Sequence, residues 1–285
     1  MKIGVAYPTT ELSGDPLSVG EFGLAAERLG YHHIVVFDHV VATSHDRETK
    51  LAGAYTEKDP FHEPFMVFAY LAGLTKRLEF ISGVLILPQR PTVLVAKQAA
   101  DLDLLSGQRL TLGVGVGWNP VEYHALGQDF AIRGRRIDEQ IGFLRRLWTE
   151  PVFSFEGEFD RLDRGCLNPR PKRSIPLWYG GHVDAGFRRA AQSCQGFVFS
   201  KDFDVCKKEL ERLRVFLSEY SRDDSFSLHW LVRFGKSVIE VTDRLKRWQD
   251  LGGTHAAVSS IGKGFRSVAE HIDFVADLSA KLNLE

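Results

Sequence analysis

The sequence predicts an α/β protein, and within that class a closed (β/α)8 TIM barrel, on three observations. Short apolar runs typical of buried strands alternate with longer amphipathic runs typical of helices along nearly the whole chain. Eight runs of each kind are present, and the strands are short and β-branched, as in parallel sheets covered by helices. The length of 285 residues suits one barrel, which typically needs about 250. An open doubly wound sheet with an appended domain is the alternative.

Four strand–helix units are predicted in the first half of the chain. Asp15 is the expected N-cap of the first helix, with Pro16 at its first position and Gly30 at its end. The second helix begins at a proline, Gly107 closes the third, and a polar loop follows the fourth strand. The predicted strands are residues 2–7, 33–39, 78–87 and 109–116, and the predicted helices are residues 14–30, 60–75, 92–107 and 135–148.

The second half repeats this alternation after one irregular segment, residues 150–174, which is too long for a simple connection. Its alternation around Glu156–Gly157 predicts a hairpin, and Pro169 and Pro171 predict an extended approach to the fifth strand. We interpret the segment as an insertion on the barrel rim, so that residues 1–285 form one domain. The remaining predicted strands are 175–181, 196–200, 227–235 and 254–260, and the remaining helices are 184–194, 204–220, 239–252 and 267–282.

Composition and charge exclude several classes of protein. A net charge of -1 without a basic run argues against a nucleic-acid partner. The residues MKIGVAYPT predict a strand rather than a signal peptide, and no apolar run reaches membrane length. Cys166, Cys194 and Cys206 are odd in number and lack metal-like spacing, which indicates a reducing compartment and no metal site. We therefore expect a cytoplasmic protein with a small-molecule substrate and no membrane partner.

Three glycines at alternate positions, Gly113, Gly115 and Gly117, end the fourth predicted strand. They do not form the dinucleotide-binding pattern G-x-G-x-x-G, because the sixth position is Trp118. Active sites of TIM barrels form at the carboxyl ends of the strands. Small residues there, with glycines of the third and fifth strands, would leave room for a flat ring system. The residues at these strand ends are Tyr7, Pro8, Thr9, Asp38, His39, Ser82, Gly83, Val84, Gly115, Gly117, Trp118, Asn119, Gly180, Gly181, His182, Ser200, Lys201, Arg233, Ser259 and Ser260, with Glu122 one turn further.

Several segments together carry a resemblance to a known family. They are Asp38–His39, the run SGVLILPQRPTVLVAKQAADLDLLSGQRLTLGVGVGWNPVEYHALG, the helix and hairpin RGRRIDEQIGFLRRLWTEPVFSFEGEF, and SIPLWYGG. The chain resembles the bacterial-luciferase-like flavin and deazaflavin oxidoreductases over nearly its whole length, and most of all the members that use coenzyme F420. The resemblance implies a TIM barrel with an insertion, a cofactor at the strand ends (coenzyme F420, or FMN as the alternative) and a homodimer.

The resemblance also implies roles for single residues. Gly83–Val84 matches the site of a non-proline cis peptide that supports the flavin ring. His39 matches a position near the reactive edge of the ring, and Asp38 is expected to orient or charge it. Gln195 departs from the aspartate that is usual at its position. The other cofactor-binding candidates are Gly115, Gly117, Trp118, Gly180, Gly181 and His182, and the candidates for the substrate or the cofactor tail are Glu122, Lys201, Lys263 and Arg266.

Each of these assignments has a structural alternative. His39 could merely line the site, and Asp38 could cap the next segment. Trp118 could be packing, and Glu122 could be a helix acid favoured by the dipole. The cofactor phosphate has two candidate sites. One is Gly180–Gly181, with Asp184 capping the helix that follows, and the other is Ser259, Ser260 and Lys263 after the last strand.

Three functions remain open. The first is hydride transfer between coenzyme F420 and a small organic substrate, with His39 as proton shuttle. The second is monooxygenation with reduced FMN and oxygen, and the third is binding of the cofactor without catalysis. The basic residues on the outer rim favour the acidic tail of F420. An apolar pocket of Phe61, Trp118, Trp178 and Tyr179 is expected over the substrate, whose identity the sequence leaves open.

Overall fold

Eight parallel strands of the described chain close into a barrel, which confirms the TIM-barrel prediction. The computed structural model describes residues 1–12, 15–48, 50–51, 53, 55–222, 225–233, 235 and 237–284. The strands are β1 (Lys2–Ala6), β2 (His33–Val36), β3 (Glu79–Ser82), β4 (Leu85–Ile86), β5 (Leu110–Gly115), β6 (Phe153–Glu156), β7 (Arg161–Gly165), β8 (Leu177–Gly180), β9 (Gly196–Phe199), β10 (Ser227–Arg233) and β11 (His255–Ser259). The barrel order is β1, β2, β3, β5, β8, β9, β10 and β11, and β11 pairs back to β1. The carboxyl ends of these strands form one opening, the mouth.

The third strand position differs from the single strand predicted at residues 78–87. β3 ends at Ser82, the peptide bond Gly83–Val84 is cis, and β4 resumes at Leu85. β3 pairs with β5 through Phe80 and Leu110, and β4 pairs with β5 again further along. The cis bond lies at the position that the family resemblance implied.

Helices cover the outside of the barrel, and several of their ends follow the predicted signals. The helices are α1 (Pro16–Arg28), α2 (Pro64–Leu74), α3 (Thr92–Ser106), α4 (Pro120–Ala125), α5 (Arg133–Thr149), α6 (Asp184–Ser193), α7 (Phe203–Glu219), α8 (Val238–Asp250) and α9 (Val268–Leu282), with a 3-10 turn at Leu87–Gln89. The Asp15 side chain accepts from Leu17 N at 3.0 Å, and Gly107 follows α3 at φ 74°. The polar loop expected after β5 contains the short helix α4. Asn119 is its N-cap, and the Asn119 side chain accepts a hydrogen bond from Val121 N at 3.0 Å. No helix in the described part of the chain is long and apolar enough to cross a bilayer.

The insertion forms the hairpin β6–β7 outside the closed sheet, as predicted. The Glu139 carboxylate on α5 holds its turn, accepting hydrogen bonds from the N–H groups of Glu158 (2.6 Å), Phe159 (3.0 Å) and Asp160 (2.8 Å). The hairpin is thereby fixed against the outer helix α5.

Side chains along each strand point alternately toward the helices and toward the barrel axis, and this alternation produces two separate apolar regions. On β2, Ile34 and Val36 face the helices and join the large outer core, whereas Val35 faces the barrel axis. A second, smaller cluster fills the axis, with Phe37 and Val84 partly exposed at its edge. Its buried members are Ala6, Val35, Ile81, Trp178, Val198, Leu231 and Ala257. Because this cluster fills the axis, the barrel is a packed core and not a channel.

Three buried histidines, His33, His229 and His255, close the amino-terminal end of the axis and are named the floor below. His33 Nε2 lies 3.0 Å from His229 Nε2, and His255 Nδ1 lies 2.8 Å from Thr254 Oγ1. A side chain at Gly4 would overlap His33, so the floor is tightly packed. The floor therefore closes the end of the barrel axis opposite the mouth.

Candidate functional site at the barrel mouth

The glycines of the mouth surround the side chain of Val84. A Cβ atom at Gly115 would lie 2.6 Å from Val84 Cγ2 and 3.1 Å from the carbonyl oxygen of Gly180. A Cβ at Gly180 would lie 2.7 Å from Val84 Cγ1, and one at Gly83 would overlap Val35. The expectation that these glycines leave open room is therefore wrong, because Val84 fills that room. Val84 itself is half-exposed and offers an apolar surface at the centre of the mouth.

Two further glycines of the same run have backbone roles. A side chain at Gly113 would overlap the carbonyl oxygen of Ser82, so this glycine permits the close approach of β3 and β5. Gly117 adopts φ 64°, a left-handed conformation that favours glycine, and a Cβ there would lie 2.9 Å from Ile86 Cγ2. These glycines shape the backbone around Val84.

His39 and Glu122 form a hydrogen-bonded pair at one side of the mouth. His39 Nδ1 lies 3.0 Å from Glu122 Oε2, and the N–H groups of Val40 and Val41 donate to Glu122 Oε1 at 2.9 and 3.3 Å. Burial alone would raise the pKa of Glu122, but the hydrogen bond and charge of His39, with the two backbone donors, outweigh it and lower that pKa. An ionised carboxylate only accepts hydrogen bonds, so His39 Nδ1 carries the proton and Nε2 is left for the mouth.

Asp38 does not contact the His39 ring, and the expectation that it orients His39 is wrong. Its carboxylate accepts from Ile86 N at 2.8 Å and from Arg90 Nη2 at 2.7 Å. Arg90 also pairs with Glu63 at 3.0 Å. Asp38 thus fixes the chain that follows Val84, while the helix acid Glu122 orients the imidazole. Local sequence could not predict the role of Glu122, because Asp38 is the neighbour of His39 in the chain and Glu122 is its neighbour in space.

Aromatic side chains surround His39. Ring centroids of Tyr55, Phe61 and Trp118 lie 5.2, 4.7 and 5.6 Å from that of His39. With Thr43 and nearby loop residues they enclose a small cavity beside the mouth. We call Tyr55, Phe61 and Trp118 the aromatic wall. Tyr55 was not predicted, because it lies in a loop without periodicity.

Trp178 and Tyr179 do not belong to the aromatic wall, and the prediction that they cover the substrate is wrong. Trp178 is buried in the barrel axis, with its ring centroid 4.9 Å from that of the floor residue His255. Tyr179 faces outward, where its hydroxyl accepts from Arg189 Nη1 at 3.0 Å. Adjacent strand residues face opposite sides of a sheet, and both of these lie below the mouth.

His182 forms a second histidine–carboxylate pair on another side of the mouth. Its Nδ1 lies 3.0 Å from Glu209 Oε1, and its Nε2 lies 3.4 Å from Ser200 Oγ. Glu209 is buried, and its Oε2 has no hydrogen-bond partner among the described residues. Glu209 is one of many acids of α7 in the sequence, so periodicity alone could not single it out.

The amino terminus of α6 follows Gly180 and Gly181 directly. The expectation that Asp184 caps this helix is wrong, because the N-cap position is Val183 and no side chain caps it. Asp184 instead lies in the first turn and accepts from Arg212 Nη2 at 2.7 Å. The amides at the start of α6 are therefore not taken by the Asp184 carboxylate, and a helix terminus of this kind favours an anion.

The alternative phosphate site after β11 is less suited to an anion. Ser260 is buried and its Oγ lies 2.8 Å from His271 Nδ1, while the Glu11 carboxylate accepts from Gly262 N at 2.7 Å. A carboxylate already present there would repel a phosphate. Of the three predicted rim cations, Lys201 and Arg266 are exposed, and Lys263 Nζ lies 5.1 Å from the centre of the Phe274 ring.

Two other observations limit where a functional site can lie. No group of three or more His, Cys, Asp and Glu side chains in the described residues could hold a metal ion. A larger surface depression, lined by Trp148, Thr149 and residues 168–174, lies where the insertion leads into β8 and contains none of the site residues. The mouth therefore remains the candidate site.

Comparison with known proteins identifies the family of this chain. Residues 1–255 match the family model described as luciferase-like monooxygenase. The uncharacterized protein Rv0940c of Mycobacterium tuberculosis is 36% identical over 248 residues, which cover 85% of this chain and 83% of that protein. Pyrimidine monooxygenase RutA of Allorhizobium ampelinum is 35% identical over 135 residues, which cover 46% of this chain and 36% of that enzyme.

Solved structures show the same fold at low sequence identity. Monooxygenase RslO1 from Streptomyces bottropensis superposes with a TM-score of 0.81 at 18% identity, covering 99% of this chain and 100% of that one. An F420-dependent secondary alcohol dehydrogenase in complex with an F420-acetone adduct superposes with a TM-score of 0.77 at 16% identity, covering 98% of both chains. The chain belongs to the luciferase-like monooxygenase family.

Proposed function

We propose that this family member is an oxidoreductase that binds coenzyme F420 at the mouth and transfers a hydride between it and a small organic substrate. The observation that carries the proposal is the pair of His39 and the ionised Glu122. Asp38, the residue before His39, is bonded to Ile86 N and so ties the pair to the chain around Val84. A proton-transfer group and an apolar platform are thus held together at the mouth.

The residues present fit a tricyclic ring with a phosphate-bearing tail. Val84 and Phe37 offer a half-exposed apolar surface for the ring, seated by Gly115 and Gly180. The uncapped amino terminus of α6, next to Gly181, suits the phosphate. Lys201, exposed at the end of the next strand, would add positive charge near the acidic tail.

When bound, the deazaflavin supplies a two-electron hydride acceptor or donor. His39 Nε2 would take a proton from the substrate or return one, because Nδ1 is engaged by Glu122. The Glu122 carboxylate would stabilise the imidazolium that forms and fix the ring orientation. The aromatic wall would keep water away from the reacting groups.

Monooxygenation with reduced FMN is the second candidate, and the sequence match to pyrimidine monooxygenase RutA favours it. The same platform suits either ring, so the cofactor decides between the two reactions. Reconstitution distinguishes them. The protein is titrated separately with F420 and with FMN, followed by absorbance, and then assayed with secondary alcohols for F420 reduction and with reduced FMN, oxygen and uracil.

We expect tighter binding of F420, substrate-dependent bleaching of F420, and loss of that bleaching in His39→Asn with the cofactor still bound. Exclusive FMN binding with oxygen-dependent turnover would support the second candidate. Binding of either cofactor without turnover of any substrate would favour a non-catalytic binding protein.

A homodimer is part of the same proposal. Helix α2 contains no charged residue, and Met66, Tyr70 and Leu74 lie exposed along one of its faces. Leu17 and Leu24 of α1 add to this apolar face, and a helix that is apolar all round is usually covered. A second copy would cover it with a self-complementary surface. Light scattering should show a dimer that Met66→Glu dissociates and that Leu105→Glu, at an exposed leucine of α3, leaves intact.

A further inference from the structure

Arg233 is the last residue of β10 and lies at the mouth. Two and four residues before it, Leu231 and His229 face the barrel axis, where both are buried. Strand alternation therefore directs Arg233 to the same side, one layer higher, in register with Ser259 of β11. Its side chain is exposed, so it reaches into the opening rather than into the packed axis.

The charge of Arg233 acts on one residue of the aromatic wall, Tyr55. Burial raises the pKa of the Tyr55 hydroxyl, and the positive charge of Arg233 acts against that rise. Tyr55 in turn packs edge-on against His39, with ring centroids 5.2 Å apart. Arg233, the aromatic wall and His39 thus all border the mouth.

Several other arginines near the barrel have carboxylate partners, and Arg233 differs from them. Arg90 pairs with Asp38 at 2.7 Å, Arg173 with Asp103 at 2.8 Å, and Arg212 with Asp184 at 2.7 Å. Among the described residues the Arg233 guanidinium has no hydrogen bond or ion pair, and only its backbone carbonyl is engaged, by Arg244. Its five N–H donors are available for a ligand.

We propose that Arg233 anchors the carboxylate of an aromatic carboxylic acid substrate whose ring lies against the aromatic wall. The guanidinium fork matches a carboxylate with two parallel hydrogen bonds. The position is distinct from the phosphate site at α6, because β10 is two strands from β8, about 10 Å around the barrel. This inference rests on the proposed function, since it names the substrate class of the same mouth.

The test compares benzoate with benzamide, two probes of the same shape that differ in charge. Calorimetric titration, with and without bound cofactor, should show benzoate binding about tenfold more tightly, the effect of about 1.4 kcal/mol from a charge-assisted contact. Arg233→Gln should remove this preference. Arg161→Gln, at an exposed arginine of the hairpin, should keep it, and circular dichroism checks both folds. Equal binding of the two probes, absence of benzoate binding, or an unchanged preference in Arg233→Gln would overturn the proposal.

Titration of the cofactor separates this inference from the proposed function. Arg233→Gln should bind F420 or FMN as tightly as the unmodified protein does. A loss of cofactor affinity in this variant would overturn the inference, because Arg233 would then hold the cofactor. Failure of the unmodified protein to bind either cofactor would end the proposed function instead, whatever the benzoate result.

Discussion

The mouth and the floor of the barrel both contain histidines, and the two regions use them in opposite ways. At the mouth, His39 is bonded to an ionised carboxylate and one ring nitrogen is left for a ligand. At the floor, His33 and His229 are bonded to each other, so one donates and the other accepts. Burial lowers the pKa of His33 and His229 far below the ordinary value and that of His255 to about 3.

The comparison shows that the hydrogen-bond partner and the solvent exposure of a histidine, and not its residue type alone, decide its role. Among the described residues the floor histidines have no carboxylate as a hydrogen-bond partner, and burial keeps them neutral in the folded protein. They fill space and exclude water. The mouth histidine is instead held in place by an anionic hydrogen-bond partner, Glu122.

We expect the largest effect from acid, which should lower the free energy of unfolding through the floor histidines. A depressed histidine pKa means that the unfolded chain binds more protons below pH 6.5, so stability is full above that pH and falls as the pH drops. At pH 5.5 each floor histidine should cost about 1.4 kcal/mol, or about 4 kcal/mol for the three. Urea unfolding followed by tryptophan fluorescence from pH 8 to pH 5 measures this. A free energy of unfolding that stays flat over this range would contradict a neutral, buried floor.

Removing the carboxylate from the mouth pair should have the next largest effect. Glu122→Ala leaves His39 Nδ1 and the N–H groups of Val40 and Val41 without an acceptor, at a cost of about 3 kcal/mol in stability. Glu122→Gln keeps one oxygen and should lose less. Urea unfolding of both variants measures the difference, with Glu211→Ala at an exposed acid of α7 as control. If Glu122→Ala costs no more than the control, the pair does not organise the mouth.

A methyl group at Gly115 should disturb the mouth while leaving the floor intact. The new Cβ would press on Val84 Cγ2, and we expect a loss of about 2 kcal/mol in stability and weaker cofactor binding. Adding Val84→Ala should restore most of the stability, because it removes the overlapping atom. Gly142→Ala, at an open position of α5, should instead stabilise the protein by about 0.5–1 kcal/mol. Absence of rescue in the double variant would show that Gly115 does not seat Val84.

The smallest expected effect separates one floor histidine from the others. His255→Gln should reduce the slope of the free energy of unfolding against pH by about 1.4 kcal/mol per pH unit. The reason is that it removes one of the three protons that the floor histidines take up on unfolding. His124→Gln, at an exposed histidine of α4, should leave the steepness unchanged. The measurement is the same urea series between pH 6.5 and pH 5. An unchanged slope in His255→Gln would assign the acid sensitivity to other groups.

Several features of the fold were predictable from local sequence, and others were not. The N-cap at Asp15 and the stop at Gly107 follow from neighbouring residues, and both are present. Asp184 has the same local signal as a cap, but in the fold it pairs with Arg212 of another helix. Trp178 and Tyr179 were expected in an apolar pocket over the substrate, but the register of β8 puts both below the mouth. A local signal predicts a conformation, but it does not say which partner competes for the side chain.

The sequence by itself determined the barrel, its hairpin insertion, the family, and the strand ends where a site must lie. These depend on periodicity and on turn residues, which act over a few positions of the chain. Only the tertiary structure decided which side chains meet: His39 with Glu122, 83 residues apart, and His33 with His229, 196 residues apart. It also decided that Val84 fills the space above the glycines. Closing the sheet brings distant strand ends together, and no local pattern records which residues then become neighbours.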